Sequence, residues 1–74
     1  MPHITIKMFP GREDAIKQKL SARLAEVTAE TLQVNASYVS VSIEDVPEKE
    51  WDEKVYVPMM QAADLLYIKP EYEE

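Results

Sequence analysis

Residues 1–9, MPHITIKMF, decide how the rest of this chain folds. Every second residue from Ile4 to Met8 is apolar and the residues between them are polar, which is the period-2 pattern of a β-strand. Pro10 and Gly11 follow at once, and Gly11 is the only glycine of the chain. Because proline and glycine favour turns, the first strand is predicted to end there.

A long helix and a second strand are predicted after this turn. Over residues 14–33, apolar residues recur at close to helical spacing, with alanines between them. Glu13 and Asp14 suit the positive N-terminal end of the helix dipole. Residues 38–44 alternate again, with Ser40 on the polar face. A strand, a helix and a strand form a βαβ unit, whose crossover predicts parallel strands and a right-handed connection.

Short helices are predicted in the C-terminal third of the chain. One helix starts at residues 45–47 and runs to about Tyr56, and Pro58 is expected to break or restart it. Residues 59–66 are expected to add another helical turn or two, and residues 65–70 to end the ordered chain. The last acidic residues around Tyr72 are predicted to form a frayed tail; they are Glu71, Glu73 and Glu74.

The fold class that follows is α/β (α+β), with one βαβ unit and short C-terminal helices in a single domain over residues 1–74. A chain of 74 residues has a marginal core when it is alone. It has no cysteine and one histidine, which excludes a disulfide, a thiolate nucleophile and a zinc site. Because one helix covers one face of two parallel strands, the other face needs a partner, and the sheet is predicted to be completed by dimerisation.

Composition and charge limit the partners and the location. The formal net charge of -6 argues against binding to DNA or RNA. No apolar run approaches the roughly 18–20 residues that span a bilayer, and no signal peptide is expected before the first strand. We therefore expect a cytoplasmic protein with no nucleic-acid partner and no membrane partner.

Pro2 is the candidate catalytic residue. If Met1 is removed, which a small second residue favours, Pro2 carries a secondary amine that no internal residue can supply. An apolar pocket or a neighbouring cation lowers the pKa of such an amine towards neutrality, where it can transfer protons beside a carbonyl group. With Met1 attached, the same nitrogen is an amide, and Pro2 is simply a proline at the start of a strand.

The order of these features resembles the 4-oxalocrotonate tautomerase family. The resemblance begins at Pro2 and its strand, continues through the motif FPGR at residues 9–12, and follows the Ala- and Leu-rich helix to the second strand. The C-terminal segment resembles the dimeric, phenylpyruvate tautomerase-like branch at Trp51, Val55, Tyr56, Pro58, Leu66, Tyr67, Lys69, Pro70 and Tyr72. The resemblance covers nearly the whole chain. It implies two βαβ protomers whose sheets join into four strands backed by two helices.

The resemblance also implies a reaction and its site residues. Pro2 would shuttle a proton between the oxygen of an enol or a dienol and carbon, without a metal or a cofactor. Arg12 falls where an arginine binds a substrate carboxylate, and Trp51 falls where an aromatic side chain forms an apolar wall near the proline. Ser40 falls where members that handle dicarboxylates carry a second arginine. A hydroxyl can bind a carbonyl oxygen but cannot neutralise a second carboxylate, although Lys54 is a candidate for the missing charge.

The expected activity is therefore keto–enol tautomerisation of small 2-oxo or 2-hydroxydienoic acids, such as arylpyruvate enols, by a homodimer rather than a hexamer. Seven residues of strand span about 23 Å, so the arginine at position 12 is expected to serve the proline of another protomer unless the chain folds back. Two alternatives remain open. One is a non-catalytic dimeric module. The other uses the proline amine differently, as a hydratase or dehalogenase base or as a nucleophile that forms an iminium.

Overall fold

The computed structural model describes residues 1–72 and confirms the βαβ unit. Strands β1 (His3–Met8) and β2 (Ser40–Asp45) are joined by helix α1 (Asp14–Leu32) and lie parallel in a two-stranded sheet. The register starts with His3 opposite Ser40 and ends with Met8 opposite Asp45. The alternation at the start of the chain and the helical periodicity after Gly11 thus predict the elements that form.

Strand β2 begins two residues later than the alternation predicts. The side chain of Asn35 accepts a hydrogen bond from the backbone N–H of Ser37 at 2.9 Å, and Ala36–Tyr38 form a single 3₁₀ turn. Asparagine commonly closes a local turn in this way. Tyr38 therefore belongs to the turn before the strand.

The two faces of the sheet differ in chemistry. Helix α1 covers the apolar face, where its Lys17 pairs with Asp45 at 2.7 Å and where Ile43 lies beside its first turns. The opposite face carries polar, exposed side chains, which are His3, Thr5, Lys7, Ser40, Ser42 and Glu44. The face that was expected to need a covering partner is therefore hydrophilic, and the uncovered apolar surface lies elsewhere on the chain.

Helix α1 buries a narrower strip than its apolar pattern predicts. Ala29 is 6% exposed, whereas the predicted apolar residues Ile16, Val27 and Leu32 are 51%, 57% and 55% exposed. Lys17, a charged residue that the helical spacing of the apolar residues predicts on the solvated side of α1, is instead half-buried against β2 through its ion pair. Because the sheet has only two strands, it is too narrow to cover the whole apolar side of a helix of 19 residues.

Of the two outcomes predicted at Pro58, the helix restarts rather than breaks: a new α-helical segment begins at Val57 with Pro58 in its first turn. Helix α2 (Glu48–Trp51) continues into a π-helical turn (Asp52–Tyr56) and then into helix α3 (Val57–Gln61). Proline lacks an N–H group, and in a regular helix its ring collides with the carbonyl group four residues earlier. The wider turn, in which the N–H of Val57 donates to the carbonyl of Asp52, relieves that conflict just before the proline.

The C-terminal segment does not fray as predicted within the described residues. A 3₁₀ turn (Ala63–Leu65) follows the helix, and the chain then returns so that Tyr72 contacts Trp51. Glu73 and Glu74 of the predicted acidic tail lie outside the described residues. In the part of the chain that is described, no helix is both long enough and apolar enough to cross a membrane.

One chain exposes more surface than its size requires. Its accessible surface is 6024 Å², whereas a compact monomer of this mass exposes about 4,700 Å². Its radius of gyration is 13.9 Å, whereas a compact domain of this length has about 11 Å. Within residues 1–72, Ala29 and Val46 are the apolar residues that are almost fully buried. The core of a single chain is therefore small.

Candidate active site

A pocket of about 420 Å³ lies at the C-terminal end of β1. It is lined by Lys7, Met8, Phe9, Arg12, Trp51 and Tyr72. Two of the predicted site residues, Arg12 and Trp51, are thus brought together although 38 other residues separate them in the sequence. Aromatic and aliphatic side chains form most of the wall, and two cations lie at it, an arrangement that suits an organic acid with an apolar tail.

Two local features bring the pocket side chains together, namely the turn at Gly11 and the fixed start of the C-terminal helix at Val46. Gly11 has a φ of 124°, a backbone conformation that residues with a side chain rarely adopt, and it turns the chain so that Arg12 stays beside the end of β1. On the other side, the N–H of Val46 donates to the carbonyl of Met8 at 2.8 Å. Val46 is 1% exposed, so the start of the C-terminal helix is fixed against the sheet. That helix carries Trp51 over the end of β1.

The aromatic wall is built from three contacts. The rings of Phe9 and Trp51 meet edge to face, with centroids 5.0 Å apart and an interplanar angle of 86°. The indole N–H of Trp51 donates a hydrogen bond to the hydroxyl of Tyr72 at 3.1 Å. The ring of Tyr72 also packs on that of Tyr56, with centroids 5.7 Å apart. These contacts hold the orientation of Trp51 before any ligand is present.

The charges at the pocket are positive. The ion pairs within residues 1–72 are Lys17 with Asp45 and Lys54 with Glu50, so neither Arg12 nor Lys7 is neutralised by a carboxylate of the described chain. The hydrogen bond from Lys54 to Glu50, and the charge of that carboxylate, raise the pKa of Lys54 above its usual value. Lys54 lies outside the pocket lining, whereas Lys7 is part of it. The second cation of the pocket is therefore Lys7 and not Lys54.

Pro2 and Ser40 lie together at the opposite end of β1. The backbone N–H of Ser40 donates to the carbonyl of Pro2 at 3.1 Å. Its hydroxyl lies 2.7 Å from Nδ1 of His3, a hydrogen bond whose donor depends on the histidine tautomer, and Nε2 of the same ring lies 3.4 Å from the hydroxyl of Ser42. Met8 is six residues further along the strand than Pro2, which corresponds to about 20 Å at about 3.3 Å per residue. Within one chain, Pro2 is thus remote from the pocket of Arg12 and Trp51.

Sequence reasoning missed four residues of the pocket. Lys7, Met8 and Phe9 end the first strand directly before the turn that holds Arg12, and this adjacency is a signal that could have found them. For Tyr72, the resemblance of the C-terminal segment implies no role, and a tyrosine among glutamates near the last residues of the sequence is typical of a solvated tail. It enters the site because the chain returns to Trp51 after the last 3₁₀ turn.

Comparisons with known proteins place the chain in a family. Residues 2–52 match the family model described as "Tautomerase enzyme". The chain is 43% identical over 63 residues to a "Probable tautomerase" of Xylella fastidiosa (strain 9a5c), and the matched region covers 85% of this chain and 77% of that protein. It is 37% identical over 57 residues to "Tautomerase PptA" of Enterobacter sp. (strain 638), covering 76% of this chain and 75% of that protein.

The matched region contains the βαβ unit, the turn at Gly11 and both predicted pocket residues, Arg12 and Trp51. The resemblance stated from the sequence, to the 4-oxalocrotonate tautomerase family, is confirmed. The chain belongs to the tautomerase family and is an enzyme of the isomerase type.

Proposed function

We propose that this enzyme is a cofactor-independent keto–enol tautomerase of small 2-oxo or 2-hydroxydienoic acids, such as arylpyruvate enols, with Pro2 as its general acid and base after removal of Met1. The observation that carries the proposal is that Arg12 and Trp51 line one pocket of about 420 Å³. The pocket combines a carboxylate-binding cation with an apolar wall, which are the two features of an arylpyruvate.

The proposed reaction moves one proton. The nitrogen of Pro2 removes the proton of the hydroxyl on C2 of the enol, and the C2–O bond becomes a double bond. The C2=C3 double bond becomes single as C3 takes a proton from the same nitrogen. The free amine is regenerated and the product is the 2-oxo acid, so no redox partner is needed. A positioned base contributes about 10²- to 10⁴-fold to such a step.

Arg12 and the aromatic wall have separate proposed tasks. The planar guanidinium of Arg12 can hold a carboxylate through two parallel, charge-assisted hydrogen bonds. The rings of Phe9 and Trp51 exclude water from the reacting carbons and accept the aryl tail. Water exclusion also favours the neutral form of an amine brought into the pocket, and the neutral form is the base.

A second copy of the chain is proposed to complete the site. Pro2 lies about 20 Å along β1 from the pocket of its own chain, so a partner has to bring its own proline to that pocket. The surface of one chain supports this pairing. The 6024 Å² that it exposes exceeds the value for a compact monomer by about 1,300 Å², more than the roughly 800 Å² that each partner buries in a standard interface.

The apolar side chains that remain uncovered in one chain are further support for a homodimer. Tyr67 and Ile68 are 99% and 89% exposed. Isolated apolar side chains on a surface are ordinary, but such exposure on a chain with so small a core favours burial in an assembly.

The first expected result concerns this assembly. Sedimentation analysis should show particles of about twice the mass of one chain at micromolar concentration, since dimers of two-fold symmetry are the commonest small oligomers. The thermal midpoint should rise with protein concentration, because association stabilises the folded state by mass action. A chain that remains monomeric and fully active would contradict the shared site, and six-fold mass would favour the hexamer.

The second expected result tests which protomer supplies Arg12. One variant has Pro2 blocked by an N-terminal extension, and the other is Arg12→Ala; with an arylpyruvate enol well below KM, each alone is expected to retain at most about a tenth of the wild-type activity. After unfolding and refolding together, random pairing should restore about a quarter of the wild-type activity, because half of the dimers contain one intact site of two. The control mixes the blocked chain with a chain that carries both changes, which should stay inactive. Inactivity of the first mixture would contradict a shared site.

A further inference from the structure

The pocket has a polar residue for which the proposed mechanism gives no task, namely Tyr72. It lines the pocket with Arg12 and Trp51, although it is 21 residues beyond the tryptophan in the sequence. Its ring is held on two sides, by the hydrogen bond from the indole and by the ring of Tyr56. The hydroxyl is therefore kept at one position on the pocket wall.

The hydrogen bond with Trp51 leaves the hydroxyl proton of Tyr72 available. The indole N–H can only donate, so the oxygen of Tyr72 is the acceptor in that bond. A tyrosine hydroxyl carries a proton of its own, which needs a different acceptor. Within the described residues, no hydrogen bond from this hydroxyl to a protein acceptor is present. The proton is thus free to bind an oxygen in the pocket.

The other polar side chains of the pocket cannot be that acceptor. Lys7 and Arg12 carry donors and no acceptor, and the remaining lining side chains are apolar except for the indole N–H of Trp51, which is also a donor. The lining side chains consequently present a set of donors around an apolar wall. Such a set is complementary to a ligand that brings several acceptor oxygens and no donors, as a 2-oxo acid does.

We propose that the Tyr72 hydroxyl donates a hydrogen bond to the oxygen on C2 of the bound 2-oxo acid, while Arg12 holds the carboxylate. This inference rests on the proposed function for the class of ligand. The fork of Arg12 matches both carboxylate oxygens, which leaves the C2 oxygen to another donor. Negative charge develops on that oxygen when its proton leaves, and a fixed donor stabilises it. Tyr72 is then a catalytic residue as well as a determinant of specificity for acids with an oxygen at C2.

The test uses two stable ligands that differ in this oxygen alone. 3-Phenyllactate carries a hydroxyl oxygen on C2, 3-phenylpropanoate has none, and neither has a carbonyl group at C2 that could enolise. Binding is followed by the emission of Trp51, the one tryptophan of the chain, which lies in the pocket wall. We expect the wild type to bind 3-phenyllactate up to about tenfold more tightly, the upper end of the effect of one hydrogen bond between neutral groups. Tyr72→Phe should reduce this preference to about twofold.

The matched control is Tyr38→Phe, the same chemical change at a side chain that is 53% exposed and outside the pocket lining. It should keep the wild-type preference. Tyr72→Phe retains the ring that packs on Tyr56, so an unchanged thermal midpoint separates the loss of the hydroxyl from a loss of folding. The kcat for an arylpyruvate enol should also fall about tenfold in Tyr72→Phe, because the donor acts on a charge that develops in the transition state.

Two outcomes would overturn the inference. One is a preference for 3-phenyllactate that is equal in Tyr72→Phe and the wild type, or absent from both. The other is a preference that survives in Tyr72→Phe and disappears in Lys7→Met, which would assign the C2 oxygen to the lysine. The proposed function fails separately, if the wild type does not ketonise arylpyruvate enols, since ligand binding is measured without turnover.

Discussion

Blocking the amine of Pro2 is expected to lower kcat/KM for an arylpyruvate enol by about 10²-fold or more. A short N-terminal extension turns the nitrogen into a tertiary amide, which has no useful basicity, and a positioned base contributes about 10²- to 10⁴-fold to a proton transfer. Ketonisation is followed by the ultraviolet absorbance of the enol. The extension should leave the βαβ unit intact, because the carbonyl of Pro2 and not its nitrogen bonds to β2.

The same polypeptide supplies the control. An extension that ends in a protease site can be removed after purification, which regenerates the free amine of Pro2, and the activity should return to that of the wild type. Full activity of the uncleaved protein would exclude the proline mechanism. Mass spectrometry of the protein from cells should show a chain that starts at Pro2; a retained Met1 favours the alternative of a strand-starting proline without a catalytic role.

Two further experiments distinguish an amine of residue 2 that acts as a general base from one that acts as a nucleophile. Pro2→Ala with Met1 removed keeps a primary amine, so a residual activity above that of the blocked form is expected. Borohydride reduction in the presence of a 2-oxo acid would trap an iminium if the nitrogen acted as a nucleophile. A trapped adduct together with slow tautomerisation would favour the second alternative, in which the same amine serves a different reaction.

Removal of the guanidinium at position 12 is expected to have the second largest effect. Arg12→Ala should raise KM for carboxylate substrates by about 10- to 100-fold, because a hydrogen-bonded charge contributes roughly 1.5–3 kcal/mol to binding. Arg12→Lys should recover part of this loss, since an ammonium supplies the charge without the planar fork. Steady-state kinetics with the enol of an arylpyruvate measures both variants.

The control for Arg12 is Arg23→Ala, an identical change at an exposed position of α1 that is outside the pocket lining. Its KM should equal that of the wild type. A neutral arylacetaldehyde enol, which lacks the carboxylate, should be converted equally by Arg12→Ala and the wild type. If Arg12→Ala left kcat/KM for the carboxylate substrate unchanged, Arg12 would not belong to the site.

Local pattern was sufficient to predict the elements of this fold. The alternation over β1, the turn at Gly11 and the periodicity of α1 each depend on residues that are near neighbours in the sequence. The boundaries of the elements depend on features that the apolar pattern does not include. Asn35 closes a turn that shortens β2, and a π-helical turn lets the C-terminal helix pass Pro58. The turn and the π-helical segment are both features of backbone geometry, and the spacing of apolar residues does not predict either of them.

The spacing of apolar residues correctly predicts that α1 has an apolar side, but it does not predict which of those residues are buried within one chain. Ile16 and Val27 are spaced as core residues, yet they are more than half exposed, since the sheet of one chain is too narrow to reach them. Periodicity reports which side of a helix is apolar, and it does not report whether that side is covered by the same chain or by another.

The sequence by itself determined the βαβ unit, the family and two residues of the pocket, Arg12 and Trp51, because each is marked by spacing or by its place in a motif. The predicted length of β1 already separates Pro2 from Arg12. Only the tertiary structure decided that Ser40 lies with Pro2 at one end of β1, and that Lys7 and Tyr72 belong to the pocket at the other end. The physical reason is that contacts between distant segments depend on where the chain goes after it leaves the sheet. Val46 and the return of the C-terminal segment set that path, and no local pattern encodes it.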